Sequence, residues 1–319
     1  MKTRNIIVNT VVSLVLGLFL LYIVFNNIDL NLFLERLDNL DYSWIYLSMF
    51  ISIFEHVVRG YRWNLLMQTK QTNLSTYITT HILIVSYFFA LFIPRFNDFV
   101  RCYLISKTNN IKVSSSLGTV VSERIFDLIS LFIISLLFFI IEFDLFTNFF
   151  STYILTNISF NVYYTTIFFF VITVIISFLY YFNKKSDAFS SKFSEFKKGV
   201  LSVNKYYKNK KFLLSTLILW IIYFLMGYVI FFSLEETSSL AISSGIAVLV
   251  AGSLGMVVPV NAGIGAYHFL VASILISYNI NYETGLFFAT ILHTSQIICL
   301  ALLGIVSSLI LFFKIRSNG

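Results

Sequence analysis

The chain has 319 residues, of which 58% are hydrophobic and 12% charged, with a net charge of +7. That excludes a soluble globular domain, in which about a quarter of residues are charged. The apolar runs also exclude a membrane β-barrel, whose strands alternate over about ten residues, and spans with short connections leave no room for a globular catalytic domain.

The elements are predicted in order as follows. Lys2 and Arg4 precede an apolar run over 6–25. It is too long for a signal-peptide core and no small-residue cleavage site follows, so a retained first span is expected. Loop 26–41 sets Asp29, Glu35, Asp38 and Asp41 against Arg36. Residues 42–67 form a second span, with Tyr42, Trp44 and Tyr46 at one interface and Arg62-Trp63 at the other. Inside it Glu55, Arg59 and Arg62 stand at i, i+4 and i+7, on one helical face. The run 75–93 stops at Pro94, and Arg95, Asp98 and Arg101 follow at once. Residues 98–112 read as a short amphipathic stretch, too polar to cross lipid. Span 117–141 carries Glu123, Arg124 and Asp127 near its start, and span 161–182 follows an acid-only loop. Nine lysines against Asp187 and Glu195 place loop 183–211 in the cytoplasm. They offer a surface for anionic headgroups, although a plain solvated loop explains them as well. Span 212–234 precedes Glu235 and Glu236. The run 240–258 ends at Pro259, followed by a turn with Asn261, Gly263 and Gly265. Segment 264–278 is about 22 Å long as a helix, short for a crossing. The last span, 284–313, closes on Lys314 and Arg316.

Counting crossings outward from the lysine loop makes 75–112 begin and end inside. By the same count 240–278 enters and returns from the opposite face. The predicted fold class is therefore all-α, a polytopic membrane bundle over 1–319 as one domain. It has about six full spans and two proline-broken re-entrant hairpins in an inverted repeat, 1–141 and 142–319. The shift between prolines, 259 − 94 = 165, carries 42–67 onto 207–232 and 117–141 onto 282–306. Broken helices in matching places of two inverted halves are where many transporters hold substrate. The plainer alternative is that both prolines end helices at the membrane surface.

A charge at mid-bilayer costs roughly 2.5–3.5 kcal/mol on insertion scales, so each needs a partner. Arg95 and Arg101, with Arg59 and Arg124, are candidate ligands for a headgroup phosphate, because the guanidinium fork suits phosphate oxygens. Glu55, Asp98, Glu123 and Asp127 are the candidate counter-charges, and Pro94 and Pro259 shape the breaks. The same residues serve equally well as salt bridges tying hairpin to spans. Asn261, Gly263 and Gly265 allow close backbone approach before a helix N-terminus, which suits an anion; a simple glycine turn fits too. His56, His81, His268 and His293 are scattered without metal spacing. No metal, cofactor, nucleic-acid partner or catalytic residue is expected. Without a phosphate-binding Walker loop, ATP is not the expected direct energy source.

Arg59-Gly60-Tyr61-Arg62-Trp63-Asn64-Leu65-Leu66 resembles the early arginine–tryptophan–leucine motif of the lysylphosphatidylglycerol synthase transmembrane (flippase-like) family. Pro94-Arg95 with Asp98 and Arg101 resembles its proline–arginine–(glycine)–acid–arginine motif. Val121 through Asp127 resembles its glutamate–arginine–x–x–aspartate element, and Pro259 through Gly265 its later glycine turn. Asn97 departs from the usual glycine, and His268 stands near where the family often has a glutamate, against a carboxylate-dependent step there. The likeness runs over nearly the whole chain. It implies a stand-alone membrane domain that moves a lipid product between leaflets, since in two-domain relatives a soluble C-terminal domain makes the aminoacylated lipid. The expected function is a flippase-like transporter of an anionic or lipid-linked headgroup, in the cell (inner) membrane with both termini cytoplasmic. Two alternatives stay open. One is a membrane-embedded transferase with Asp98 or Asp127 as general base, so an enzyme is less expected yet not ruled out. The other is a non-catalytic partner of a lipid-modifying enzyme.

Overall fold

A computed structural model describes residues 15–26, 29–67, 74–93, 96–145, 209–258 and 260–317. They are helical with no strand among them. The first span is described as α1, Val15–Phe25. There follow α2 (Leu30–Glu35), α3 (Tyr42–Met67), α4 (Thr76–Ala90), α5 (Asn97–Asn109) and α6 (Val113–Ile141). The second half has α7 (Lys210–Tyr228), α8 (Ile242–Val257), α9 (Ala266–Ile276) and α10 (Tyr282–Ser317). The predicted spans 42–67, 117–141, 212–234 and 284–313 coincide with helices, to within a few residues at their ends, and the first is described from Val15 on. Pro94, Arg95, Pro259, span 161–182 and most of loop 183–211 lie outside the described residues, as do Lys2 and Arg4.

Three helices among the described residues are long and apolar enough to cross a bilayer: Val113–Ile141, Lys210–Ser233 and Tyr282–Arg316. Along α6, Leu128, Phe132, Ile133, Leu136, Leu137 and Ile140 are exposed, an outer face that only lipid solvates well. The protein is thus a multi-pass helical membrane protein. The 26 residues of α3 give it a length of about 39 Å, enough to cross. It is less apolar than those three because Glu55, Arg59 and Arg62 lie within it.

Loop 26–41 is corrected by the structure. Leu30–Glu35 is helical, with a 3₁₀ turn over Arg36–Asn39. Its anchor is Phe33, buried edge-on against Phe25 at 5.7 Å and Phe287 at 4.9 Å. Arg36 donates to the Thr284 hydroxyl at 2.9 Å. Acidic residues mask an apolar anchor in the sequence here.

Helix α3 packs along α7 and α4, α4 along α5 and α10, α8 along α9 and α6, and α9 along α10. Small residues bring backbones together where side chains would hold them apart. A Cβ on Gly60 of α3 would lie 2.8 Å from the Thr80 Cα of α4, and one on Gly255 of α8 2.6 Å from the Tyr267 Cα of α9. One apolar core joins α8, α9, α10 and the end of α7 around Phe231, Val271, Leu275 and Phe287. A second joins α3, α4, α5 and α10 around Trp63, Ile82, Leu83 and Ile105. Between α3, α5 and α6 the packing is not apolar, and there the charges gather.

Candidate functional site

Helix α5 starts just past the first break. It buries Asn97, Arg101, Cys102 and Ile105, a stripe at i, i+4, i+5 and i+8, and leaves Phe99 and Tyr103 exposed. Asp98 in its first turn suits the positive end of the helix dipole, and Asn110 ends it in the left-handed conformation, φ 55°. The buried stripe turns Arg101 toward α3 and α6.

Glu123 of α6 receives two arginines: its Oε2 accepts from Arg101 Nη1 at 2.6 Å and its Oε1 from Arg62 Nη2 at 3.2 Å. Arg59 Nε lies 3.8 Å from the same Oε1. Arg62 also donates to Asp127 at 2.6 Å, and Arg101 to Asp98 at 2.9 Å. Arg124 donates to the same Asp98 oxygen at 3.2 Å. Arg59 closes on Glu55 at 3.1 Å, and Tyr223 of α7 donates to Glu55 at 3.3 Å. His56 Nδ1 stands 2.6 Å from Glu55 Oε2. Four guanidiniums (Arg59, Arg62, Arg101, Arg124) thus meet four carboxylates (Glu55, Asp98, Glu123, Asp127) in one neutral cluster.

The cluster has a closed floor and an open rim. The side chains of Arg62, Arg101 and Glu123 are wholly buried, whereas those of Asp98 and Arg124 are 31% and 42% exposed. Aromatic rings line the arginines: Tyr87 under Arg59 at 4.6 Å and Trp63 under Arg101 at 5.2 Å. Such stacking holds a guanidinium where water cannot. Four buried donors in this lining, Arg59 Nε, Arg62 Nε, Arg101 Nε and the Tyr87 hydroxyl, have no hydrogen-bond partner among the described residues. Buried donors normally find one. Chemically the arrangement offers N–H and O–H groups to an acceptor entering from the Arg124 rim.

The structure therefore brings together Arg59, Arg101, Arg124, Glu55, Asp98, Glu123 and Asp127. It does not bring Gly263 and Gly265 to them. Those two lie in the turn before α9, at φ 71° and 83°, after a 3₁₀ turn that Asn261 begins. The Gly265 backbone packs instead against Leu20 and Leu21 of α1. Two histidines far apart in the sequence meet in the fold: His268 of α9 and His293 of α10 stand with ring centroids 5.1 Å apart. Sequence reasoning placed Arg62-Trp63 at a membrane interface, whereas the structure buries both side chains among the charges; it missed Tyr87 and Tyr223. The two tyrosines had no signal among 19.

A family model described as the lysylphosphatidylglycerol synthase TM region matches residues 9–304. No curated protein and no solved structure matches the chain.

Proposed function

Because the chain belongs to the lysylphosphatidylglycerol synthase transmembrane-region family, we propose that its membrane lipid-related function is to bind an anionic phospholipid headgroup at the arginine cluster and move it between leaflets. The observation that carries this reading is the set of unpaired buried donors beside an exposed arginine. Arg59, Arg101 and Tyr87 offer N–H and O–H groups that a phosphate oxygen satisfies, and Arg124 at the rim is the first contact. Glu123 and Asp127 hold the arginines in place, and Asp98, which Arg101 and Arg124 share, is the partner the phosphate displaces. Arg95, two residues before α5, and the Asn261–Gly265 turn are further contacts for the headgroup on its way across.

The route across follows from an inverted repeat, α3–α6 against α7–α10. Three features support it. Helix α3 packs on its counterpart α7. Helix α4 packs on α10 as α8 packs on α6, the exchange a two-fold axis requires. Asn110 after α5 and Asn279 after α9 both take positive φ, 55° and 62°, at corresponding ends of the two hairpins. With the lysine-rich loop in the cytoplasm, both termini are cytoplasmic and the membrane is the inner one.

The test is reconstitution into vesicles with fluorescent phosphatidylglycerol or phosphatidylcholine, followed by dithionite quenching of the outer leaflet. Wild type is expected to speed exchange of the anionic lipid. Arg124→Gln is exposed enough to spare the fold, and is expected to slow it about tenfold, near the value of one charge-assisted hydrogen bond. Wild-type vesicles that exchange no faster than protein-free ones would end this reading.

A further inference from the structure

The turn that opens α9 is held in an unusual backbone conformation by two histidines the headgroup site does not use. Ala262, Gly263 and Gly265 all have positive φ, at 50°, 71° and 83°. For Ala262 this is a conformation that L side chains rarely adopt, so contacts must hold it. The Gly265 N–H donates to the His268 Nδ1 at 3.3 Å. His293 lies against the Ala262 backbone. Both rings are buried, and the Tyr267 ring is 4.8 Å from His293.

We infer that His268 is a proton site that keeps the second helix break closed while its ring is neutral and opens it in acid. The bond from Gly265 assigns the neutral ring: Nδ1 accepts, so the ring proton sits on Nε2. A second proton has to go to Nδ1, where it would face the Gly265 N–H and break the bond. The new charge would also stand at the positive end of the α9 dipole and beside another imidazole. Among the described residues no opposite charge offsets it. The titratable neighbours of His268 among them are Tyr267 on α9 and His293 on α10; α1 presents Phe25, and α8 meets Tyr267 with Gly252 and Gly255. Among the described residues neither ring pairs with a carboxylate. The closed turn thus binds fewer protons than the open one. Closure is fully present above the ordinary imidazole value of about 6.5 and weakens below it as His268 takes a proton in the open turn, about tenfold per pH unit.

The latch stands on the geometry of the turn. Only its use, admitting a headgroup at the second break, rests on the transport reading. Hydrogen–deuterium exchange of the full chain in lipid nanodiscs tests it, with exposure times scaled for intrinsic rates at pH 7.5 and 5.0. Wild-type peptides covering 260–268 are expected to exchange at least tenfold faster in acid. His268→Gln keeps an acceptor at a position where glutamine caps helices but does not titrate, so its turn is expected to stay protected at both pH values. In His268→Ala the turn is expected to exchange fast at both. Wild-type exchange independent of pH, or a His268→Gln turn that still opens fully in acid, overturns the inference. Should the variants fail to fold, ring-labelled histidine spectra of the wild type decide. Rings that titrate as free imidazoles while the turn stays protected overturn it; rings that titrate together with loss of protection support it. A turn that opens in acid with unchanged lipid exchange leaves the latch standing and counts against the transport reading alone.

Discussion

Glu123 has no exposure to solvent and two arginines on its carboxylate. Glutamine in its place keeps the shape and leaves Arg62 and Arg101 facing a neutral amide. Breaking one partner of a buried pair costs about 3–5 kcal/mol, so Glu123→Gln is expected to lower thermal stability of the purified protein sharply. Asp98→Asn, at the partly exposed rim, should cost about 1 kcal/mol or less; melting curves of both in one detergent check the difference. Much of this cluster was legible because charge is costly in an apolar run, which singled out Glu55, Arg59, Glu123 and Asp127, while Arg101 stood out just past the proline break; the i, i+4 spacing also gave the Glu55–Arg59 pair. What was not legible is who meets whom between helices. Arg62 and Asp127 are 65 residues apart, and no local signal reports such a contact. Tyr87 and Tyr223 escaped for a different reason: tyrosine is common at membrane interfaces, so its presence in a span carries little information.

Helix positions were the most legible part of the chain, since each long apolar run has room for only one structure in lipid. Failure came where a polar surface hid an anchor, as at Phe33 in α2, and at helix ends, where α10 continues to Ser317 past the predicted 313. Close approach between helices was invisible as well, because a glycine in an apolar run looks the same whether it faces lipid or a neighbour. Gly255 and Gly118 separate the two cases. A methyl group on Gly255 meets the Tyr267 backbone, whereas one on Gly118 of α6 meets nothing among the described residues within 4 Å. Gly255→Ala is expected to push α8 from α9 and cost about 1–3 kcal/mol. Gly118→Ala should be neutral or stabilise by up to about 1 kcal/mol through helix propensity. Denaturation of the two variants side by side checks both.

For the whole molecule, the proposed inverted repeat makes a sidedness prediction. Lys107 at the end of α5 and Lys314 near the end of α10 are expected on one face, and Glu236 beyond α7 on the other; all three are exposed. Cys102 and Cys299 are buried, so the native thiols should stay silent to an impermeant maleimide. In sealed vesicles Lys107→Cys and Lys314→Cys should label together, and Glu236→Cys only from the opposite side. Labelling of all three from one side would remove the repeat. The charged face of α3 has a consequence of another kind, for biogenesis. Its arginines and glutamate are made at least sixty-one residues before Glu123 and Asp127 of α6, and leave the ribosome ahead of them. During that interval α3 carries charges that lipid rejects and that no later helix can yet neutralise. Its entry into the bilayer is therefore expected to wait at the insertion machinery until α6 arrives, so that the two halves of the cluster are delivered as a pair.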